Sequence, residues 1–245
     1  MDYNIELHKQ LIREEEKQRQ EVVYNKWINY VPQSSALVNY NARMIPISLI
    51  KSKGSVLLYC YFQKYSNWNK DTEFSFRYCF REYAILTNIE KVFYNKENSR
   101  ICTRKAISKK FKELIELGYV IDDEKHRVKI PNTYFTKNEN TYVLVSETIL
   151  DYIVSIGDEL FTRVFLYYIF AQYINGKDNS ILLYDDLLLD NIGYSKSSKN
   201  KKRLKEIRDR LQFDRYITVS KFTEEILDNG TGRFKTTNAI RVIKF

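Results

Sequence analysis

Two short stretches of this chain concentrate side chains that bind phosphate. Residues 96–112 hold seven Lys or Arg and one Glu, and residues 196–215 hold nine Lys or Arg and three acids. Each stretch has an excess of six positive charges, whereas the whole 245-residue chain carries +9. The other residues are together slightly acidic, so a general preference for lysine does not explain the pattern. Two focused basic patches favour a polyanionic partner such as nucleic acid.

Both basic stretches also carry apolar residues at helical spacing. The first stretch and its continuation place Ala106, Ile107, Phe111, Leu114 and Ile115 on one stripe, and the second has Leu204, Ile207 and Leu211. This spacing predicts a helix that follows Thr103 and ends near Gly118, and another over Lys199–Phe213. The basic side chains avoid the apolar stripe, so each helix would turn its charges towards solvent.

These positions define the candidate DNA-binding residues. They are Arg100, Arg104, Lys105, Ser108, Lys109 and Lys112 in the first stretch, Lys199, Lys201, Lys202, Arg203 and Arg210 in the second, and Lys221, Arg233 and Lys235 in a hairpin predicted after it. Lysine mainly neutralises phosphate, whereas arginine also reads guanine edges through bidentate contacts. Arg100, Arg104 and Arg203 are therefore the predicted base-contacting residues. Ser108 is small enough to allow close approach.

The same order of elements is predicted twice. The first copy has a lead-in at Met44–Leu49, helices at Gly54–Tyr65, Phe80–Ile89 and after Thr103, and a hairpin over Tyr119–Ile130. The second copy has a strand at Tyr142–Ser146, a linking helix at Glu147–Val154, helices at Asp158–Ile174, Tyr184–Ile192 and Lys199–Phe213, and strands at Tyr216–Phe222 and Ala239–Phe245. Some residues also match, since Leu58-Tyr59-x-x-Phe62 corresponds to Leu166-Tyr167-x-x-Phe170 at an offset of 108.

Three helices followed by a β-hairpin form a winged helix-turn-helix, whose third helix enters the major groove. The predicted fold is therefore mainly α with small β-hairpins (α+β), with two winged helix-turn-helix domains in tandem preceded by an N-terminal helix. The predicted domains are an arm over residues 1–42, a first domain over 43–140 and a second over 141–245. Two interpretations of the arm stay open, a frayed solvated helix and a segment for self-association.

The sequence argues against catalysis and against a bound cofactor. His8 and His126 have no second histidine nearby, so the paired-histidine metal site of nicking enzymes is not formed within one chain. No nucleotide-binding loop is visible, and the acidic pairs Asp122-Asp123 and Asp185-Asp186 fit a turn and a helix start better than a metal site. The expectation is a protein without enzymatic activity, cofactor or metal.

The same sequence predicts a cytoplasmic protein without a membrane partner. The first 20 residues are polar, unlike a signal peptide, and the apolar run Val164–Ala171 is too short to span a bilayer. Three cysteines at irregular spacing are interpreted as free thiols in a reducing compartment.

The chain resembles the RepA-type, tandem winged-helix replication initiators of plasmids and mobile elements over residues 43–245. The resemblance lies in Ile45-Pro46-Ile47-Ser48-Leu49-Ile50 followed by Leu57-Leu58-Tyr59, and in the third helix and its exit, Ser108 to Tyr119. It implies sequence-specific binding of double-stranded DNA at repeated origin sequences and recruitment of host replication proteins. The alternative is a transcriptional or partition regulator that uses the same domains on an operator or centromere-like site. An accessory factor, such as an origin-of-transfer binder, is a third interpretation.

Overall fold

The computed structural model describes residues 42–68, 76–80, 104–122, 127–131, 142–176, 179–228 and 231–243. Within these ranges the chain has a mixed α+β fold of seven helices and three small antiparallel sheets. The predicted combination of helices with small β elements is confirmed at this level. Apart from Ala42, the predicted N-terminal arm lies outside the described residues.

The first half of the structure, residues 42–131, is built around one buried helix. Its elements are β1 (Ala42–Pro46), α1 (Ile47–Lys51), α2 (Val56–Lys64), β2 (Asn67–Trp68), β3 (Phe76–Phe80), α3 (Arg104–Glu116), β4 (Ile121–Asp122) and β5 (Arg127–Pro131). Residues 56–63 of α2 are all buried, as its uniformly apolar sequence predicts. Ile107, Phe111 and Leu114 of α3 are buried too, which confirms the predicted stripe.

One predicted helix in this half starts in the wrong place. Phe80 was expected to begin a helix, but it ends strand β3 and pairs with Arg127 of β5. Phe76–Phe80 alternates aromatic residues with Arg and Cys, and this period of two is typical of a strand. The rest of the predicted helix, residues 81–89, lies outside the described residues. The strands of this sheet lie in the order β2-β3-β5-β4.

The second half, residues 142–243, follows the sequence prediction closely. Its elements are β6 (Tyr142–Ser146), α4 (Glu147–Ile156), α5 (Glu159–Asn175), β7 (Ile181–Leu182), α6 (Asp185–Asn191), α7 (Ser198–Phe213), β8 (Ile217–Asp228) and β9 (Thr231–Val242). The sheet order is β7-β9-β8. Strands β8 and β9 are longer than predicted, because they stay paired from Ile217 opposite Val242 to Asp228 opposite Thr231.

The two halves pack against each other reciprocally. Strands β1 and β6 pair antiparallel with Met44 opposite Leu144, and each strand leads directly into a helix. Helix α1 packs on α5, its counterpart α4 packs on α2, and the equivalent helices α2 and α5 touch each other. Such exchange of equivalent contacts is the pattern of an approximate two-fold axis. One hydrophobic core runs through both halves.

The reciprocal packing also corrects the predicted residue matches. The residues that cap the starts of α2 and α5 are Ser55 and Asp158, which lie 103 positions apart. In the paired strands, Met44 and Leu144 are 100 positions apart. Leu58 and Leu166, which are 108 positions apart, therefore lie at different distances from the starts of their helices. They are not equivalent positions of the two halves. The order of elements is duplicated, but those particular residue identities are not part of the duplication.

A tight turn at Gly193 brings the halves into contact, and we expect Gly193→Ala to destabilise the protein by about 2–4 kcal/mol. Gly193 has φ +75°, and a Cβ there would lie 2.9 Å from the Lys51 carbonyl oxygen of the first half. The left-handed conformation alone costs an alanine about 1–2 kcal/mol, and the clash with backbone adds to this cost. Urea unfolding measures the change in the free energy of unfolding.

Gly157→Ala is the matched control for that measurement. Gly157 ends α4 with φ 67°, so alanine suffers a similar backbone penalty there. We expect a loss of only about 1–2 kcal/mol at this position. Equal losses at the two glycines would contradict a specific contact between Gly193 and the first half.

Candidate nucleic-acid interface

Helix α7 presents the larger described set of candidate residues. The Ser197 hydroxyl caps its start by accepting a hydrogen bond from the Asn200 backbone N–H at 3.3 Å. Leu204 and Leu211 are completely buried and Ile207 nearly so. These apolar residues hold one face of the helix on the core, so the opposite face is left to solvent.

Several basic side chains around α7 are already paired with acids from outside the basic stretch. Lys196 Nζ lies 2.5 Å from Asp190 Oδ2, and Lys201 Nζ lies 2.8 Å from Asp186 Oδ1. The Arg203 guanidinium contacts the Asp158 carboxylate, which also caps the start of α5. Arg203 was a predicted base-contacting residue, and its guanidinium ties α7 to α5 in this structure.

The Arg208 side chain is part of the core rather than of the surface. It is only 8% exposed and makes two hydrogen bonds to the Asp185 carboxylate, at 2.6 and 3.3 Å. Asp185 starts α6, so this pair fixes α7 against α6. The acidic pair Asp185-Asp186 was predicted to open a helix, and α6 does begin at Asp185. Both carboxylates bind cations of α7, an additional role that the sequence did not indicate.

Three lysines on the outer surface of α7 remain available. Lys199, Lys202 and Lys205 are exposed, and no carboxylate in the described ranges pairs with any of them. They follow one another every third residue, so their backbone positions are separated by about 4.5 Å along the helix axis. Lys205 was not among the predicted candidates. The structure adds it because its ammonium group belongs to the same unpaired row.

At the C-terminal end of α7, Arg210 takes part in a polar cluster. Its Nε donates to Asp214 Oδ2 at 2.6 Å, and the Tyr152 hydroxyl of α4 donates to the same oxygen at 2.5 Å. Burial and the neighbouring Asp214 raise the pKa of Tyr152, while the hydrogen bonds from Tyr152 and Arg210 lower the pKa of Asp214. Arg210, another predicted DNA contact, therefore braces the corner between α7 and β8.

Helix α3 presents a second, smaller basic surface. Ser108, Lys109 and Lys112 are exposed on the side away from its buried stripe, and neither lysine forms an ion pair within the described ranges. Arg104 and Lys105 form the first turn of this helix. Arg100 lies outside the described residues.

The remaining candidates lie on the hairpin formed by β8 and β9. Lys221 is exposed and donates to the Asn238 side-chain oxygen of the opposite strand at 2.7 Å. In the strand register Arg233 lies opposite Ile226, and Lys235 lies opposite Glu224. The hairpin begins three residues after α7, so helix and hairpin belong to one surface region.

The described residues offer little for metal or thiol chemistry. No group of three or more His, Cys, Asp or Glu side chains among them is arranged to hold a metal ion. The Cys60 thiol is completely buried, and burial raises its pKa well above the ordinary value. Within the same ranges, every helix is too short or too polar to cross a membrane.

The surface with the clearest chemical character is thus the row of unpaired lysines on α7, with a second pair on α3. Both helices lie third in their halves by the sequence prediction, and both lead into a β-hairpin. Comparison with known proteins adds no relative: no family model, no curated protein and no solved structure matches this chain.

Proposed function

We propose that this protein binds specific sequences of double-stranded DNA through two winged-helix domains in tandem. The observation that carries the proposal is the row of exposed, unpaired lysines on α7, Lys199, Lys202 and Lys205. Side chains of this kind neutralise DNA phosphates, and the recognition helix of a helix-turn-helix lies in the major groove.

The topology of both halves supports the winged-helix assignment. The second half runs helix α5, strand β7, helices α6 and α7, then the hairpin β8–β9, with β9 in the middle of its sheet. The first half has helix α2, strand β3, helix α3 and the hairpin β4–β5, with β5 between β3 and β4. In each half the last strand therefore lies between its hairpin partner and a strand that precedes the basic helix, β3 or β7, the usual order of a winged helix.

The approximate two-fold relation supports binding of both halves to one duplex. A two-fold rotation leaves height along its axis unchanged, so such a relation would place α3 and α7 at the same level along the axis between the halves. A duplex that crosses this axis can then meet both helices. By analogy with two-fold dimers, the two contacts would lie about 10–10.5 base pairs apart.

We propose the biological role on the basis of the resemblance to plasmid replication initiators. In this role the protein binds repeated origin sequences, carries out no cutting or joining of strands, and recruits host replication proteins. Permanganate footprinting on supercoiled DNA that contains the bound sequence tests the proposal, because an initiator opens adjacent AT-rich DNA. A duplex that stays closed, with repression of a neighbouring promoter, would favour the transcriptional or partition regulator instead.

DNA binding itself predicts a steep dependence on salt. Lys109 and Lys112 of α3 and the three lysines of α7 provide five unpaired charges. If each contacts one phosphate, the logarithm of the association constant should fall with the logarithm of salt concentration at a slope of about −4.5. Fluorescence anisotropy with a labelled duplex between about 50 and 200 mM salt measures this slope. A slope near zero would contradict the proposed function.

A further inference from the structure

The junction between the two halves contains a buried arginine with a full set of partners. Arg163 of α5 is 5% exposed and donates to carbonyl oxygens of Ile50 at 2.5 Å, Ser52 at 2.8 Å and Gly54 at 2.6 Å, all in the first half. It also donates to the Ile192 carbonyl at 3.2 Å. A guanidinium group has five N–H donors in a rigid fork, so this arrangement specifies one relative placement of the segments it joins.

Glu159, one turn before Arg163, completes this junction from the other side. Its carboxylate accepts hydrogen bonds from the Ser55 hydroxyl at 2.8 Å and from the backbone N–H groups of Val56 at 2.8 Å and Leu57 at 3.1 Å. The same carboxylate accepts from Arg163 Nε at 3.0 Å. Glu159 thus starts α5 of the second half while it caps α2 of the first half, and the two charges compensate each other.

The segment held by Arg163 leads directly into the proposed DNA-contacting helix. Ile192 and Gly193 form the turn between α6 and α7, and Gly193 packs on the Lys51 carbonyl of the first half. The Tyr194 ring lies next in the chain, with its centroid 5.8 Å from the Arg163 guanidinium carbon. The entry to α7 is therefore fastened to the first half of the molecule and not only to its own domain.

We infer that Arg163, oriented by Glu159, is a positioning residue that sets the separation between α3 and α7 and thereby the spacing of DNA half-sites that the protein accepts. The inference rests on the proposed function. Apolar packing between the halves is non-directional, so it resists separation of the halves more than small rotations between them. The directional hydrogen bonds of Arg163 fix the relative orientation of the two halves, which apolar packing leaves less restricted.

The test uses Arg163→Lys, which keeps the charge but lacks the planar fork, with Arg241→Lys on β9 as the matched exposed control. A duplex is first selected from a random library with the wild-type protein, and variants of it then carry one to five base pairs inserted between the two footprinted halves. We expect the wild type and Arg241→Lys to prefer one spacing by at least about tenfold. Arg163→Lys should accept neighbouring spacings with affinities within about threefold, while its affinity for a single half-site is unchanged.

A purely structural role for Arg163 would give a different pattern. A destabilised protein would lose affinity for all duplexes in the same proportion, and its preferred spacing would stay as sharp as in the wild type. That outcome would overturn the inference. Glu159→Gln provides a second variant, because its amide cannot accept the four hydrogen bonds of the carboxylate, and it should broaden the spacing preference in the same way.

A measurement without DNA separates this inference from the proposed function. Spin labels attached through unnatural amino acids at the exposed positions of Glu116 on α3 and Glu206 on α7 report the distance between these helices. We expect one narrow distance distribution in the wild type and in Arg241→Lys, and a broad one in Arg163→Lys and Glu159→Gln. A narrow distribution in both junction variants would refute the positioning role. If neither wild type nor variants bind any duplex while the distribution still broadens, the DNA-binding proposal fails and the positioning role stands.

Discussion

Replacing Lys199, Lys202 and Lys205 together by alanine should weaken duplex DNA binding about 500-fold at about 0.1 M salt. Each lysine that contacts a phosphate releases close to one condensed counterion, which contributes slightly less than a factor of ten at that concentration. The three side chains are exposed and unpaired within the described ranges, so their loss breaks no ion pair there and should leave folding stability nearly unchanged. Fluorescence anisotropy over a series of salt concentrations measures both the affinity and its slope.

The triple replacement by arginine is the control for this experiment. It preserves the three positive charges, so the salt dependence should remain that of the wild type, whereas the alanine variant should lose about 2.7 from the magnitude of the slope. Glu206→Gln, which removes an exposed acid from the same helix, should strengthen binding slightly. An alanine variant with the wild-type slope would show that DNA does not contact this row of lysines.

Arg208→Ala should destabilise the protein by about 3–5 kcal/mol, the expected cost of leaving one member of a buried ion pair without its partner. The Arg208 guanidinium is 8% exposed and Asp185 is 29% exposed, and two hydrogen bonds join them. Loss of the guanidinium also removes packing where α7 meets α6. Urea unfolding at neutral pH, followed by circular dichroism, measures the change in the free energy of unfolding.

Arg210→Ala is the matched control, since Arg210 also pairs with an aspartate but is largely exposed. The Arg210 side chain is 57% exposed in its pair with Asp214. Surface ion pairs contribute about 1 kcal/mol or less, so this change should have a small effect on stability. Similar losses for the two variants would contradict the distinction between a core arginine and a surface arginine in α7.

The secondary structure near the proposed interface follows from local sequence patterns. The helical repeat of Leu204, Ile207 and Leu211 predicts a helix over Lys199–Phe213 and its buried face, and the structure has that buried face on a helix that starts one residue earlier, at Ser198. Local patterns are sufficient here because the period of 3.6 residues decides which side chains share a face. The period-two pattern of Phe76–Phe80 is typical of a strand in the same way, and the expectation that a helix begins at Phe80 overlooked it.

The relation between the halves was predictable only in outline. The order of elements showed a duplication, but the offset of 108 did not align the helix starts at Ser55 and Asp158. The reason is physical: α4 is five residues longer than α1, so equivalent positions do not keep a constant separation along the chain. No sequence pattern assigned a role to Arg163 of α5. The carbonyl oxygens that bind Arg163 come from residues about 30 and 110 positions away, and no local pattern identifies them.

By itself, the sequence determined the positions of the basic helices and the face that each turns to solvent, because helical period and capping are local properties. Only the tertiary structure decided which of the basic side chains form ion pairs and which stay unpaired at the surface. Arg203, Lys201 and Lys202 were all candidates, yet Asp158 and Asp186 bind the first two and leave Lys202 unpaired within the described ranges. An ion pair forms between groups that the fold brings within about 4 Å, whatever their separation in the chain. Net charge along a segment therefore predicts a basic surface, and three-dimensional packing decides which of its charges stay unpaired and available to a partner.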